Sequence, residues 1–144
     1  MKLRQKYDKG EDPPYPAIDG ELYDPLLKRS MTIRARVDSG FSGSLLLGIA
    51  DYVGLGLQHY EEPENAIAGR LVTGISVPLR ASRGVVRLGS EHLECPVYAT
   101  PLLSKPLLGR QLLKAWVTTL DGPAQTTVIR SEEGSTTRTR GKKE

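Results

Sequence analysis

The chain has 144 residues, 38% hydrophobic and only 6% aromatic, with 15 glycines and 10 prolines. That size and balance suit one compact, turn-rich all-β domain and argue against a helical bundle or a two-domain protein. The net charge of +3 gathers in Lys2-Leu3-Arg4-Gln5-Lys6 and in 138–143, with no aromatic residues interleaved, so solubilising ends are expected rather than a nucleic-acid surface.

Cys95 is the single cysteine, which excludes an intramolecular disulfide and points to a reducing setting. The N-terminus is charged from its second residue and lacks an apolar signal region. No apolar run approaches the roughly 18 residues of a membrane span. A cytoplasmic protein without a membrane partner is expected.

Residues 1–15 are charged and end near the Pro13-Pro14 pair, so they are expected to form a flexible arm. The folded domain is expected over 16–129, and the charged segment 130–144 is expected to be disordered. Ala17–Tyr23 reads as a strand stopped by Asp24-Pro25. Met31–Val37 alternates apolar and polar residues at period two, a half-buried strand that runs directly into Asp38-Ser39-Gly40. Ser44–Leu47 is a buried strand, followed by one or two helical turns over Gly48–Val53.

Leu71–Leu79 reads as a hairpin arm with a glycine-bounded tip, and Gly84–Gly89 as a further strand. Leu93–Ala99 is another, with Pro96 marking an edge or a bulge. A short helix is expected over Gln111–Trp116. Val117–Leu120 and Thr126–Ile129 form a closing hairpin around Asp121-Gly122-Pro123. Many short strands with turns between them indicate a sandwich or a barrel.

One stretch carries chemistry. An aspartate at the end of an apolar strand, followed by a small hydroxyl residue and a glycine, can project into a cleft from a tight turn. Other candidates fall away. His59, His92 and Cys95 have no metal-ligand spacing, and no cofactor is implied. Gly40-Phe41-Ser42-Gly43 is one residue too short for a nucleophile elbow, and no phosphate-binding loop is present. Trp116 reads as a core or dimer contact.

Two blocks give the turn its context. Ala35-Arg36-Val37-Asp38-Ser39-Gly40 followed by Ser44-Leu45-Leu46-Leu47 resembles the catalytic turn of retropepsin-like aspartic proteases. Pro106-Leu107-Leu108-Gly109-Arg110-Gln111-Leu112-Leu113 resembles the segment that opens their C-terminal helix. The order and the gap match a single-lobe member of prokaryotic type, over about residues 17–129.

The resemblance implies an all-β, closed retropepsin-like barrel with one short C-terminal helix, a flap hairpin and a homodimeric assembly. It implies an aspartic endopeptidase acting on flexible or unfolded polypeptide, with Asp38, Ser39 and Gly40 at the catalytic centre. Phe41 and Ser42, with Gly69, Arg70, Leu71, Val72, Thr73 and Gly74 of the flap, are implied to contact substrate. Gly109 and Arg110 are implied structural supports, the Arg110 guanidinium forking onto loop carbonyls or a carboxylate. Phe41 stands where the viral enzymes carry a small residue, which narrows the neighbouring pocket. Ser42 and Gly43 replace the second acid of those enzymes.

The chain holds a single Asp-(Ser/Thr)-Gly, and aspartic proteolysis needs two carboxylates. Each subunit therefore has to supply one Asp38, with Val117–Leu120 and Val128-Ile129 as candidate dimer strands. The alternative is a dimer of the same fold that binds peptides or proteins without cleaving them.

Overall fold

The computed structural model describes residues 1–61, 68–70 and 76–132. Period-two alternation builds the first hairpin. β2 (Ala17–Tyr23) buries Ile18 and Leu22, and β3 (Ser30–Val37) buries Ile33 and Ala35 while Thr32 and Arg34 stay exposed. They pair antiparallel from Ala17↔Arg36 to Tyr23↔Ser30. Asp24 fixes the connection: its buried carboxylate accepts the Lys28 amide at 2.8 Å and its carbonyl accepts the Leu27 amide at 3.0 Å.

β4 (Leu45–Gly48) is buried throughout, which is why its sequence is a continuous apolar run. It leads into α1 (Ile49–Gly54) and a 3-10 turn at Leu57–Tyr60. β5 (Ala68–Arg70) and β6 (Ser76–Pro78) form a separate two-stranded hairpin. β7 (Arg80–Leu88) and β8 (Glu91–Thr100) form a long hairpin that turns at Gly89, whose φ of 57° suits glycine. The two-residue β9 (Leu107–Leu108) pairs parallel with β3 and antiparallel with β4.

Six strands make a closed ring in the order β2-β3-β9-β4-β8-β7, completed by Glu21–Tyr23 of β2 pairing with β7. Inside lie Ile18, Leu22, Leu45, Leu47, Val86, Val97 and Leu108. Burying one such aliphatic side chain contributes about 1.5–3 kcal/mol.

α2 (Arg110–Leu113) follows β9 and is shorter than the expected Gln111–Trp116. The amides of Ala115 and Trp116 bond three residues back, to Leu112 and Leu113, so the last turn tightens out of the α-helix. Trp116 is buried, and its Nε1 donates to Glu91 at 3.0 Å, the same carboxylate oxygen that accepts the Ser131 hydroxyl at 2.8 Å. It is a core residue with a satisfied polar tip.

The N-terminal residues correct an expectation. Lys2–Lys6 form β1, which pairs with β11 (Thr126–Arg130), itself paired with β10 (Val117–Asp121). Leu3 packs on the core, Gln5 Oε1 accepts the Asp19 amide at 2.6 Å, and the charged residues of β1 alternate outward. Residues 7–16 are held as well. The Arg36 guanidinium lies 4.0 Å from the Tyr15 ring centre and 2.5 Å from Glu11, and Lys105 approaches both. At the other end Arg130 pairs with Lys2 and Val117, and the Ser131 amide donates to the Met1 carbonyl at 3.0 Å; residues 133–144 lie outside the described residues.

Pro96 sits where β8 has one partner only. It faces Arg83 of β7, while pairing with β4 begins at Val97, so the missing N–H leaves no ladder bond unmade. Beside it, burial pushes the Cys95 thiol up to about 12. At mildly alkaline pH the folded protein is therefore expected to resist iodoacetamide and to take up one adduct only when unfolded, as read by intact mass. Adduct formation as fast in the native protein as in denaturant would contradict this burial. Among the described residues no helix is long and apolar enough to cross a membrane.

Candidate active site

The pairing of β3 with β9 decides where Asp38 stands. Parallel pairs Arg36↔Leu107 and Val37↔Leu108 carry the chain to the barrel end. There the Val37 amide donates to the Pro16 carbonyl at 3.1 Å and the Asp38 amide to the Leu108 carbonyl at 3.0 Å. The backbone of the aspartate is thus pinned from both sides by groups distant in sequence.

The turn itself is local. Asp38 Oδ1 accepts the Gly40 amide at 2.9 Å and the Asp38 carbonyl accepts the Phe41 amide at 3.2 Å. This is an aspartate folding its own following residues into a turn. Among the described residues nothing donates to Oδ2, and Ser39 and Gly40 are exposed. One carboxylate oxygen is held by the Gly40 amide, and Asp38 itself is half-buried.

The return half of the loop is braced by backbone groups of the next block. Gly109 donates to the Ser44 carbonyl at 2.8 Å, Arg110 to Phe41 at 2.8 Å and Gln111 to Gly43 at 3.1 Å. The opening amides of α2 lack partners within their own helix, and the loop after Asp38 supplies them. Arg110 reaches the turn through its amide, not through the guanidinium that the resemblance implied. Its side chain is exposed and forms no ion pair among the described residues.

Two glycines permit this closeness. A Cβ on Gly109 would collide with the Gly43 carbonyl oxygen and stand 2.6 Å from that of Phe41. A Cβ on Gly43 would stand 2.5 Å from the Phe41 ring and 2.9 Å from the Tyr98 ring. The Phe41 ring meets Tyr98 edge-on, with centroids 6.4 Å apart and planes at 85°. Ser44, fully buried, donates its hydroxyl to the Pro96 carbonyl.

Ser42 is exposed at the loop's outer side. Gly69 and Arg70 belong to β5 and pair with Val77 and Ser76. Leu71, Val72, Thr73 and Gly74 lie outside the described residues. Glu61 and Arg80, which flank 62–79 in sequence, are tied together. Glu61 accepts Arg80 through two hydrogen bonds of 2.8 and 2.9 Å and the buried Tyr52 hydroxyl at 2.8 Å. The Arg80 hydrogen bonds hold the Glu61 carboxyl below its ordinary range. Sequence reading missed Tyr98, Pro16 and Ser44 as neighbours of the turn. Tyr98 reaches it only because β4 and β8 pair in parallel, Leu46↔Tyr98, and no local pattern reveals that register.

No protein-family model matches the chain, and neither does any curated protein. Solved structures do. One is a retropepsin-like aspartic protease from Rickettsia conorii, at 15% identity and a TM-score of 0.59, with 90% of each chain covered. Another is the EIAV protease complexed with the inhibitor HBY-793, at 17% identity and a TM-score of 0.53, covering 76% of this chain and 92% of that one. Identities this low speak for the fold alone, and the fold of this chain is the retropepsin-like one.

Proposed function

We propose that the protein is an aspartic endopeptidase, active as a homodimer in which each subunit supplies one Asp38. The observation that carries this reading is the Asp38 turn. A carboxylate sits at the end of a barrel strand with one oxygen fixed by Gly40 and the other without a donor among the described residues, beside exposed Ser39 and Gly40.

Two such carboxylates about 3 Å apart cannot both ionise, so they share one proton. The ionised one takes a proton from a water molecule while the water oxygen bonds to the scissile carbonyl carbon. The protonated one gives its proton to the carbonyl oxygen. As the tetrahedral intermediate collapses, a proton passes to the departing nitrogen and the C–N bond breaks. Ser39 holds the two turns together, and the β5–β6 hairpin carrying Gly69 and Arg70 covers the peptide. A single buried thiol suits a reducing, cytoplasmic setting.

The terminal sheet offers the surface for dimerisation. Its order β1-β11-β10 leaves two edges. The β1 edge carries Lys2, Arg4 and Lys6, residues that discourage edge pairing. The β10 edge, Val117-Thr118-Thr119-Leu120-Asp121, has no lysine or proline, and Leu120 is 51% exposed. Antiparallel pairing of two β10 strands around a two-fold axis is self-complementary. Val128 and Ile129, also considered as dimer strands, lie in the central β11 and are already paired on both sides. Leu120→Lys is expected to turn the dimer into a folded monomer and to remove cleavage with it, as read by sedimentation. A Leu120→Lys dimer as tight as wild type would place the interface elsewhere.

The activity test is cleavage of a mixed peptide pool from acidic to neutral pH, read by mass spectrometry, for wild type and Asp38→Asn. A well-folded wild-type dimer that cleaves nothing would sink the reading.

A further inference from the structure

The turn between β2 and β3 carries its apolar residues outward. Leu26 and Leu27 stand side by side at its tip, 59% and 62% exposed, with exposed Lys28 and Arg29 directly after them. Single exposed leucines are ordinary on a protein surface; an adjacent pair on a projecting turn is not. Three hydrogen bonds fix the turn. The Asp24 amide donates to the Arg29 carbonyl at 3.1 Å, the Leu27 amide to the Asp24 carbonyl at 3.0 Å, and the Lys28 amide to the buried Asp24 carboxylate at 2.8 Å.

Leu27 sits there at φ 58°, in the left-handed region that glycine or asparagine enters readily and a bulky side chain does not. The leucine belongs to neither buried apolar cluster, so it carries backbone strain without strengthening the core. Strain of this kind points to a task outside the fold.

Charge indicates what the tip meets. Lys28 and Arg29 form no ion pair among the described residues, and the Asp24 carboxylate is turned inward. Asp51 of α1 lines a shallow groove with Arg29 but does not pair with it. Two projecting leucines backed by two cations match an anionic bilayer: the leucines enter the acyl boundary while the cations meet lipid phosphates. So small and convex a tip falls far short of the roughly 1,000 Å² that a stable protein interface buries.

We infer that the β2–β3 turn is a peripheral docking site for an anionic lipid surface, with Leu26 and Leu27 inserted and Lys28 and Arg29 on the headgroups. The site is independent of the endopeptidase reading. The eight residues of β3 separate it from Asp38, roughly 25 Å at about 3.3 Å per residue, so docking leaves the Asp38 end clear of the bilayer. The expectation of no membrane partner followed from the lack of a spanning run, and a surface contact needs none.

Flotation of the full chain with vesicles of equal parts phosphatidylserine and phosphatidylcholine tests this. Wild type is expected to float with them, and to stay behind in high salt or with phosphatidylcholine alone. The double variant Leu26→Gln, Leu27→Asn should partition about tenfold or more weakly. Its melting temperature should nevertheless rise, because asparagine accepts the left-handed backbone. Lys28→Glu with Arg29→Glu should also abolish flotation. A wild type that does not float overturns the site. Unchanged flotation of the leucine variant, as the basic ends at 2–6 and 138–143 alone would give, overturns it equally. Self-association that is lost in the leucine variant, without vesicle binding, assigns the tip to a protein contact and overturns the lipid.

Discussion

Asp38→Asn is expected to lower peptide cleavage by about 10⁴-fold while leaving melting temperature and dimer mass close to those of wild type. Asparagine has the same shape, and its Oδ1 still accepts the Gly40 amide that closes the turn. What changes is proton chemistry. A neutral amide can neither take a proton from water nor lend one to a carbonyl oxygen, and the substitution removes both members of the pair at once. Asp38 makes no ion pair among the described residues, so the structural loss is confined to weakening one hydrogen bond, on the order of 1 kcal/mol. Undiminished cleavage by the folded variant would remove Asp38 from the mechanism.

Gly109→Ala should be nearly as damaging, by a different route. The backbone at 109 has φ −102° and ψ −176°, a region open to alanine, so conformational strain is not the issue. Space is. The added methyl would overlap the Gly43 carbonyl and crowd that of Phe41, two oxygens that accept the amides of Gln111 and Arg110. Backbone on both sides has to move. Overpacking of this kind costs about 1–3 kcal/mol, and each weakened hydrogen bond adds about 1 kcal/mol. A shift of about 1 Å in the turn is enough to lower activity about 10²-fold. Gly54→Ala is the control, since a Cβ there meets nothing within 4 Å. Thermal melts and cleavage rates compared between the two variants decide the matter. Equal stability and activity would show that α2 does not brace the turn.

How much of this was legible depended on whether the deciding contact was local. β2 and β3 were readable because Ile18, Leu22, Ile33 and Ala35 recur at period two, and β4 because three leucines in a row have no polar face. Asp38-Ser39-Gly40 was readable because the aspartate bonds its own next residues. β1 was not. Its single leucine is outnumbered by charge, and its partner strand lies at the far end of the chain. β9 was hidden by its length of two residues, although it seats the Asp38 amide. The Arg110 side chain drew attention as the support, yet the bond is made by its amide, a group every non-proline residue carries and no sequence pattern marks.

The pairing of β1 with β11 also sets an order of assembly during synthesis. All six barrel strands lie between Ala17 and Leu108, so the ring can close as soon as that stretch has left the ribosome. The terminal sheet has to wait, because β1 joins Lys2–Lys6 to Thr126–Arg130 and is the most non-local pairing in the fold. Under the proposed dimer edge at β10, which rests on β11, a nascent chain would carry a finished Asp38 turn that cannot yet meet its partner. The proposed proteolytic competence would then arrive only with the completed subunit, away from the crowd of unfolded chains emerging beside it.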